Sequence, residues 1–97
     1  MSVAQTILQQ LGGSRFIAMT GAKNFHGSDD SLVFAIPRAP KNRANRVKIT
    51  LNASDLYDVT FIRIHGSKVN TVSEHSNIYF DQLQELITQE TGLYTHL

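Results

Sequence analysis

Five of the nine Lys and Arg residues, Arg38, Lys41, Arg43, Arg46 and Lys48, fall within eleven positions with no acidic residue between them. Such a cluster can neutralise phosphates or meet an acidic protein surface. Three of the five are arginines, whose planar guanidinium forks bind phosphate or carboxylate in a bidentate manner. No Phe, Tyr or Trp lies between Pro37 and Leu56. Base stacking on this segment is therefore not expected, which leaves phosphate-backbone or protein contact. The plain alternative is a solvated loop. Against it stands the density of like charge, which repels itself and gives an isolated fold nothing in return.

Other residues carry weaker chemistry. In Thr20–Asp30, Gly21 and Lys23 suggest an anion site, but the Gly-x-x-x-x-Gly-Lys-Ser/Thr pattern of a phosphate loop is absent. Gly12-Gly13-Ser14-Arg15 is a second, equally unspecific anion nest. His26 with Asp29 and Asp30 offers metal-ligand types on one loop, too few and too close together to specify a metal. Phe25, an aromatic inside an otherwise polar stretch, either folds back onto the core or is offered to a partner; the core is the better expectation. No serine sits in a nucleophile turn, and His26, His65, His75 and His96 share no metal-ligand spacing. Asp55 and Asp58 read as a turn residue and a solvent-facing strand residue. The expectation is a protein without catalytic residues, metal or cofactor.

The elements that must position the cations follow from hydrophobic periodicity. Ser2 and Gln5 make a capping-box pattern, and Val3, Ile7, Leu8 and Leu11 follow on one helical face up to Gly12-Gly13. Ser14–Thr20 is rich in strand formers and reads as a strand, and Gly21–Ser31 as a loop. In Ser31–Ile36 both faces are apolar, as in a covered strand. Arg46–Asn52 alternates cleanly, with Val47, Ile49 and Leu51 inward and Arg46, Lys48 and Thr50 outward. In the next strand Tyr57, Val59 and Phe61 share a face while Ile62 and Ile64 take the other, which calls for a bulge near Phe61–Ile62 or burial on both faces. Gly66-Ser67 reads as a two-residue hairpin turn leading into a strand over Lys68–Ser73. A last helix, capped at Ser76 or Asn77 and closed by Gly92, presents Tyr79, Leu83, Leu86 and Ile87 to the core and a solvated Gln/Glu face outward.

At 97 residues the chain has room for one domain, 1–97, and 41% apolar with 18% charged residues suits a folded protein. Two helices on one face of a four- to five-stranded antiparallel sheet, an α+β fold, is the natural two-layer solution. No stretch approaches the roughly 20 apolar residues of a membrane span. Met1–Gln10 lacks a basic residue, so no signal peptide is expected. Without cysteine there are no disulfides, thiolate metal sites or Cys nucleophiles. The cytoplasm is the simplest setting.

Four blocks of the chain, Leu11–Phe25, Val47–Asn52, Asp55–Val59 and Thr91–Leu97, resemble small, mostly uncharacterised proteins encoded by bacterial phages, prophages and plasmids. The resemblance implies a mobile-element origin and a bacterial host cytoplasm, and it carries no catalytic residues. Small proteins of that class include host-takeover and anti-defence factors, anti-CRISPR proteins among them. The expected function is a non-enzymatic binding module that interferes with a host nucleic-acid-handling protein or nucleoprotein complex. Direct nucleic-acid binding through Arg38–Lys48 is the second reading. Sequestration of a small nucleotide through Gly21–Lys23 or Gly12–Arg15 is the third. A homodimer is compatible with each.

Overall fold

The computed structural model describes residues 3–37, 41 and 43–92. The elements run α1 (Val3–Leu11), α2 (Ser14–Thr20), β1 (Lys23–Gly27), β2 (Ser31–Ala35), β3 (Arg46–Leu51), β4 (Tyr57–His65), β5 (Lys68–Ile78), a 3₁₀ turn (Phe80–Gln82) and α3 (Leu83–Thr91). The strands form one antiparallel meander in the order β1-β2-β3-β4-β5. The expected α+β architecture is present, with five strands and three helices. Ser2, the expected cap of α1, lies outside the described residues.

The core is the space between the helices and one sheet face. Ile7 and Leu11 of α1, Phe16 of α2, and Leu83 and Ile87 of α3 are fully buried. They meet Phe34, Val47, Ile49, Val59 and Phe61, which are equally inaccessible. The alternation in β3 holds: Val47 and Ile49 are buried, Lys48 is exposed, and Leu51 at the strand end is half-buried. In β2 both faces are covered, as its sequence requires. Tyr57 is buried at the rim of the core, and its hydroxyl donates to Gln10 Oε1 at 2.6 Å. Burial pushes the Tyr57 phenol above its ordinary pKa, and the Gln10 hydrogen bond offsets part of that rise.

Four expectations are corrected. Ser14–Thr20 is a helix, not a strand. Its apolar residues are consecutive rather than alternating, so a helical face buries Phe16 and Thr20, four apart, while Arg15 and Ala18 point outward. Gly12 at φ 120 and Gly13 at φ 59 turn the chain between the two helices in conformations that favour glycine. Gly21–Ser31 is not all loop, because Lys23–Gly27 pairs with β2 as an edge strand. Its sequence shows no alternation because it is exposed at four of five positions and irregular between Lys23 and His26. Gly27 allows α1 close: a Cβ there would lie 2.7 Å from Ala4 Cβ.

The third correction concerns the C-terminal third. β5 does not stop at Ser73 but runs to Ile78, and Ser76 and Asn77 belong to it. Asn77, at φ 58, accepts from Asn52 Nδ2 and donates its backbone N–H to Asp58 rather than capping a helix. Tyr79 precedes the helical turn and is 57% exposed, so it is not part of the docking face of α3. The irregularity expected near Phe61–Ile62 is there. Phe61 pairs with Ser73 and Ile62 with Thr71, so the extra residue is Val72 of β5. β4 keeps its alternation, and Ile62 and Ile64 lie half-buried on the helix-free face.

The Gln/Glu face of α3 is also not merely solvated. Gln84 donates to the Leu11 carbonyl, satisfying a free acceptor at the end of α1. Glu90 accepts from Ser73 Oγ at 3.1 Å and lies 2.6 Å from His75 Nε2. Urea unfolding should therefore show a graded series. Leu83→Ala should cost about 2–5 kcal/mol by opening a cavity, and Gln84→Ala about 1 kcal/mol by orphaning the Leu11 carbonyl. The exposed Gln89→Ala should stay within about 0.5 kcal/mol of wild type. Equal stability of the two Gln variants would remove Gln84 as the tie between α1 and α3.

Candidate functional site: a basic end of the sheet

Because the sheet is a meander, its strands alternate in direction, and each end of the sheet gathers residues distant in sequence. One end receives the start of β1, the end of β2, the start of β3, the β4–β5 turn and the loop before β3. Lys23 pairs with Ala35, Ala35 with Arg46, and Arg46 with Ile62, a single row across the sheet. Residues directly opposite one another share a face. Lys23 and Arg46 therefore stand on the helix-free face, as does Lys48, opposite Val33 and Thr60.

Arg46 is half-buried, and its Nη1 donates to the Asn45 carbonyl at 2.8 Å, which holds the guanidinium at the edge of the sheet. Asn45 extends the β3–β4 ladder by one step. Its backbone N–H donates to Ile62, its Nδ2 donates to the Ile64 carbonyl at 2.8 Å, and its Oδ1 accepts from the Ile64 N–H at 2.9 Å. This clip fixes where β4 leaves the sheet. Arg43 is exposed at φ 62. Lys41 is exposed too, and its N–H donates to the Thr91 carbonyl at the C-terminus of α3. Arg38 lies outside the described residues.

Beyond Asn45, β4 and β5 continue as a two-stranded ribbon turned by Gly66-Ser67, where the hairpin was expected. Arg63 pairs with Asn70 and His65 with Lys68, so these four polar side chains share one ribbon face. His65 through Val72 are all exposed. Arg63, His65 and Lys68 were missed as site residues, although the signal was present. A hairpin centred on Gly66-Ser67 dictates this register, and no acid lies between Asp58 and Glu74.

The net charge of +1 conceals a separation. Lys23, Lys41, Arg43, Arg46, Arg63 and Lys68 occupy one end. Asp29 and Asp30 lie in the β1–β2 turn, Asp55 in the β3–β4 turn, and Asp81 after β5, all at the other, while Glu74, in the same row as Lys48, and Glu90, next to the Thr91 that Lys41 contacts, lie between the two. Among the described residues the only ion pair is His75–Glu90, so none of these six cations is paired with a described acid.

The remaining candidates serve the fold. Phe25 is half-buried with its ring 5.3 Å from Phe34, the core role expected of it. His26 is exposed opposite Val33, and no group of three His, Asp or Glu able to hold a metal occurs among the described residues. Gly21 closes α2 by donating to the Ile17 carbonyl, and Gly12 and Gly13 close α1. Asp58 accepts from Asn52 Nδ2 at 3.0 Å in the β3–β4 turn. Tyr79 and Phe80, both more than half exposed, flank a shallow groove lined by Ile78, Gln82, Glu85, Leu86 and Gln89 at the acidic end. No described aromatic side chain stands on the basic end. No helix among the described residues is long and apolar enough to cross a membrane. No protein-family model, curated protein or solved structure matches the chain.

Proposed function

We propose that this chain is a non-enzymatic binding module that docks by its basic end on an acidic partner within a host nucleic-acid-handling system, and so interferes with it. One observation carries the reading. Lys41, Arg43, Arg46 and Lys48 come together with Lys23 towards one end of the sheet, where no acid among the described residues forms an ion pair with them. Held apart from their counter-charges, these cations retain their full attraction for an external anion, and they steer encounter as well as hold the complex. Their removal opens no core, because Arg43 and Lys48 are exposed and Arg46 reaches only a backbone carbonyl. The resemblance to mobile-element proteins supports a bacterial host as the source of the partner.

The test is the double variant Arg43→Glu/Arg46→Glu, which reverses the local charge. Both proteins are immobilised and exposed to bacterial lysate, with and without nuclease. The double variant should melt within about 4 °C of wild type, since surface changes of this kind cost little. It should nevertheless lose the material that wild type retains. Retention of the same material by both proteins would reduce the cluster to a solvated loop.

A further inference from the structure

We propose that the β4–β5 ribbon binds duplex DNA, inserted in the major groove with the face that carries Arg63, His65, Lys68 and Asn70 turned into the groove. The proposal rests on the basic-end reading and names the acidic partner's class. Three observations lead to it. First, the cations at this end lie on both sides of the sheet. Lys23 and Arg46 are on the helix-free face, whereas Arg63 and Lys68 are on the opposite face of the ribbon. A flat acidic protein surface meets one side of a sheet; a groove has a floor and two phosphate walls, and meets both. Second, the ribbon is free. After the Asn45 clip it has no neighbouring strand among the described residues, and His65–Val72 are exposed throughout. Two strands about 4.8 Å apart fit a groove about 12 Å wide. Third, the surface chemistry suits nucleic acid. Protein interfaces are poor in lysine at their centres, whereas this end presents Lys23, Lys41, Lys68, three arginines, His65 and Asn70 around the exposed Val69 and Val72.

With the ribbon in the groove, Arg43 and Arg46 at its root face the phosphates of one wall. Arg63 and Lys68 then reach the phosphates of the other wall, and His65 and Asn70 face the base edges of the floor. In A-form RNA the major groove is too deep and narrow to admit the ribbon, so duplex RNA should bind more weakly.

The experiment is fluorescence anisotropy of a mixed-sequence DNA duplex titrated with protein over a series of salt concentrations. The matching RNA duplex and single DNA strand are run beside it. Wild type should prefer the DNA duplex. Arg63→Glu/Lys68→Glu should bind about 50-fold more weakly near 0.1 M salt, and its log–log salt slope should be shallower by about two. Lys68→Glu alone alters an exposed residue at the start of β5 and should show roughly half that change in slope, which separates lost contact from lost folding. Wild-type affinity in both ribbon variants would overturn the proposal, as would equal binding of all three nucleic acids. Absence of duplex binding at low salt, with a captured partner still lost by Arg43→Glu/Arg46→Glu, would overturn DNA as the partner and leave the docking reading standing. Duplex binding lost in the ribbon variants but kept with all captured material in Arg43→Glu/Arg46→Glu would do the reverse.

Discussion

Ile49→Asp should leave the chain without a cooperative unfolding transition, while Lys48→Asp, one residue away, should melt close to wild type. Ile49 is fully buried between Leu32 and Val59, its partners on the two flanking strands, and faces the helices. The substitution removes an aliphatic side chain from a packed site and puts there a carboxylate with no buried partner. The combined cost is more than about 4 kcal/mol, against a total stability of about 5–15 kcal/mol for a domain of this kind. Lys48 is exposed between Val33 and Thr60, where a carboxylate stays in water. Thr50→Asp would be a poorer control, because Thr50 lies directly opposite Asp58 and the change sets two carboxylates side by side. Thermal melts followed by circular dichroism decide the matter, and similar melting temperatures for the Ile49 and Lys48 variants would mean that the register of β3 is wrong.

Phe34→Ala should be the most damaging truncation in the N-terminal half, at about 3–5 kcal/mol. Phe34 has no exposed surface, its ring stands edge-on to Phe16 at 5.5 Å, and Phe25 packs against it from β1. One side chain thus joins α2, the edge strand and the sheet, and alanine would leave a cavity bordered by all three. Phe25→Ala should cost about half as much, because that ring is already half in water. Guanidinium unfolding midpoints give the comparison. A larger loss at Phe25 than at Phe34 would contradict the packing of α2 against β2.

How much of this could be read from the chain alone depended on which force shaped each segment. β3, and β4 as far as Phe61, show a period of two because one face is buried and the other is more open to water, and burial imposes that pattern directly. The hairpin at Gly66-Ser67 was legible because turn geometry is written in local residue types. Ser14–Thr20 was not. Its strand-forming residues serve a seven-residue helix that depends on Gly12-Gly13 and on tertiary packing of Phe16. Lys23–Gly27 escaped notice because an exposed edge strand buries almost nothing and so carries no pattern. β5 ran past its expected end because two irregularities, around Val72 and before Ile78, break its alternation.

The candidate site was legible in the same uneven way. Arg46 and Lys48 stand outward on β3 as expected, since their placement followed from the burial of Val47 and Ile49. The contributions of Lys23, Arg63 and Lys68 come from successive strand pairings that bring to one end residues as many as 45 positions apart, and a search for dense local charge does not find them. The separation of acids from bases is likewise a product of the meander.

The central claim, that the basic end is the binding surface, is tested most directly by mapping a polyanion onto the folded protein. Amide nitrogen–proton NMR spectra would be followed at low ionic strength as a short heparin oligosaccharide, a chain of negative charge without bases, is added. The account predicts that the largest shifts fall on Lys41, Arg43–Lys48 and Arg63–Asn70, and that they fade as salt is raised. Shifts centred on Ile78–Gln89 and the exposed Tyr79 and Phe80, or no salt-sensitive shifts at all, would contradict it.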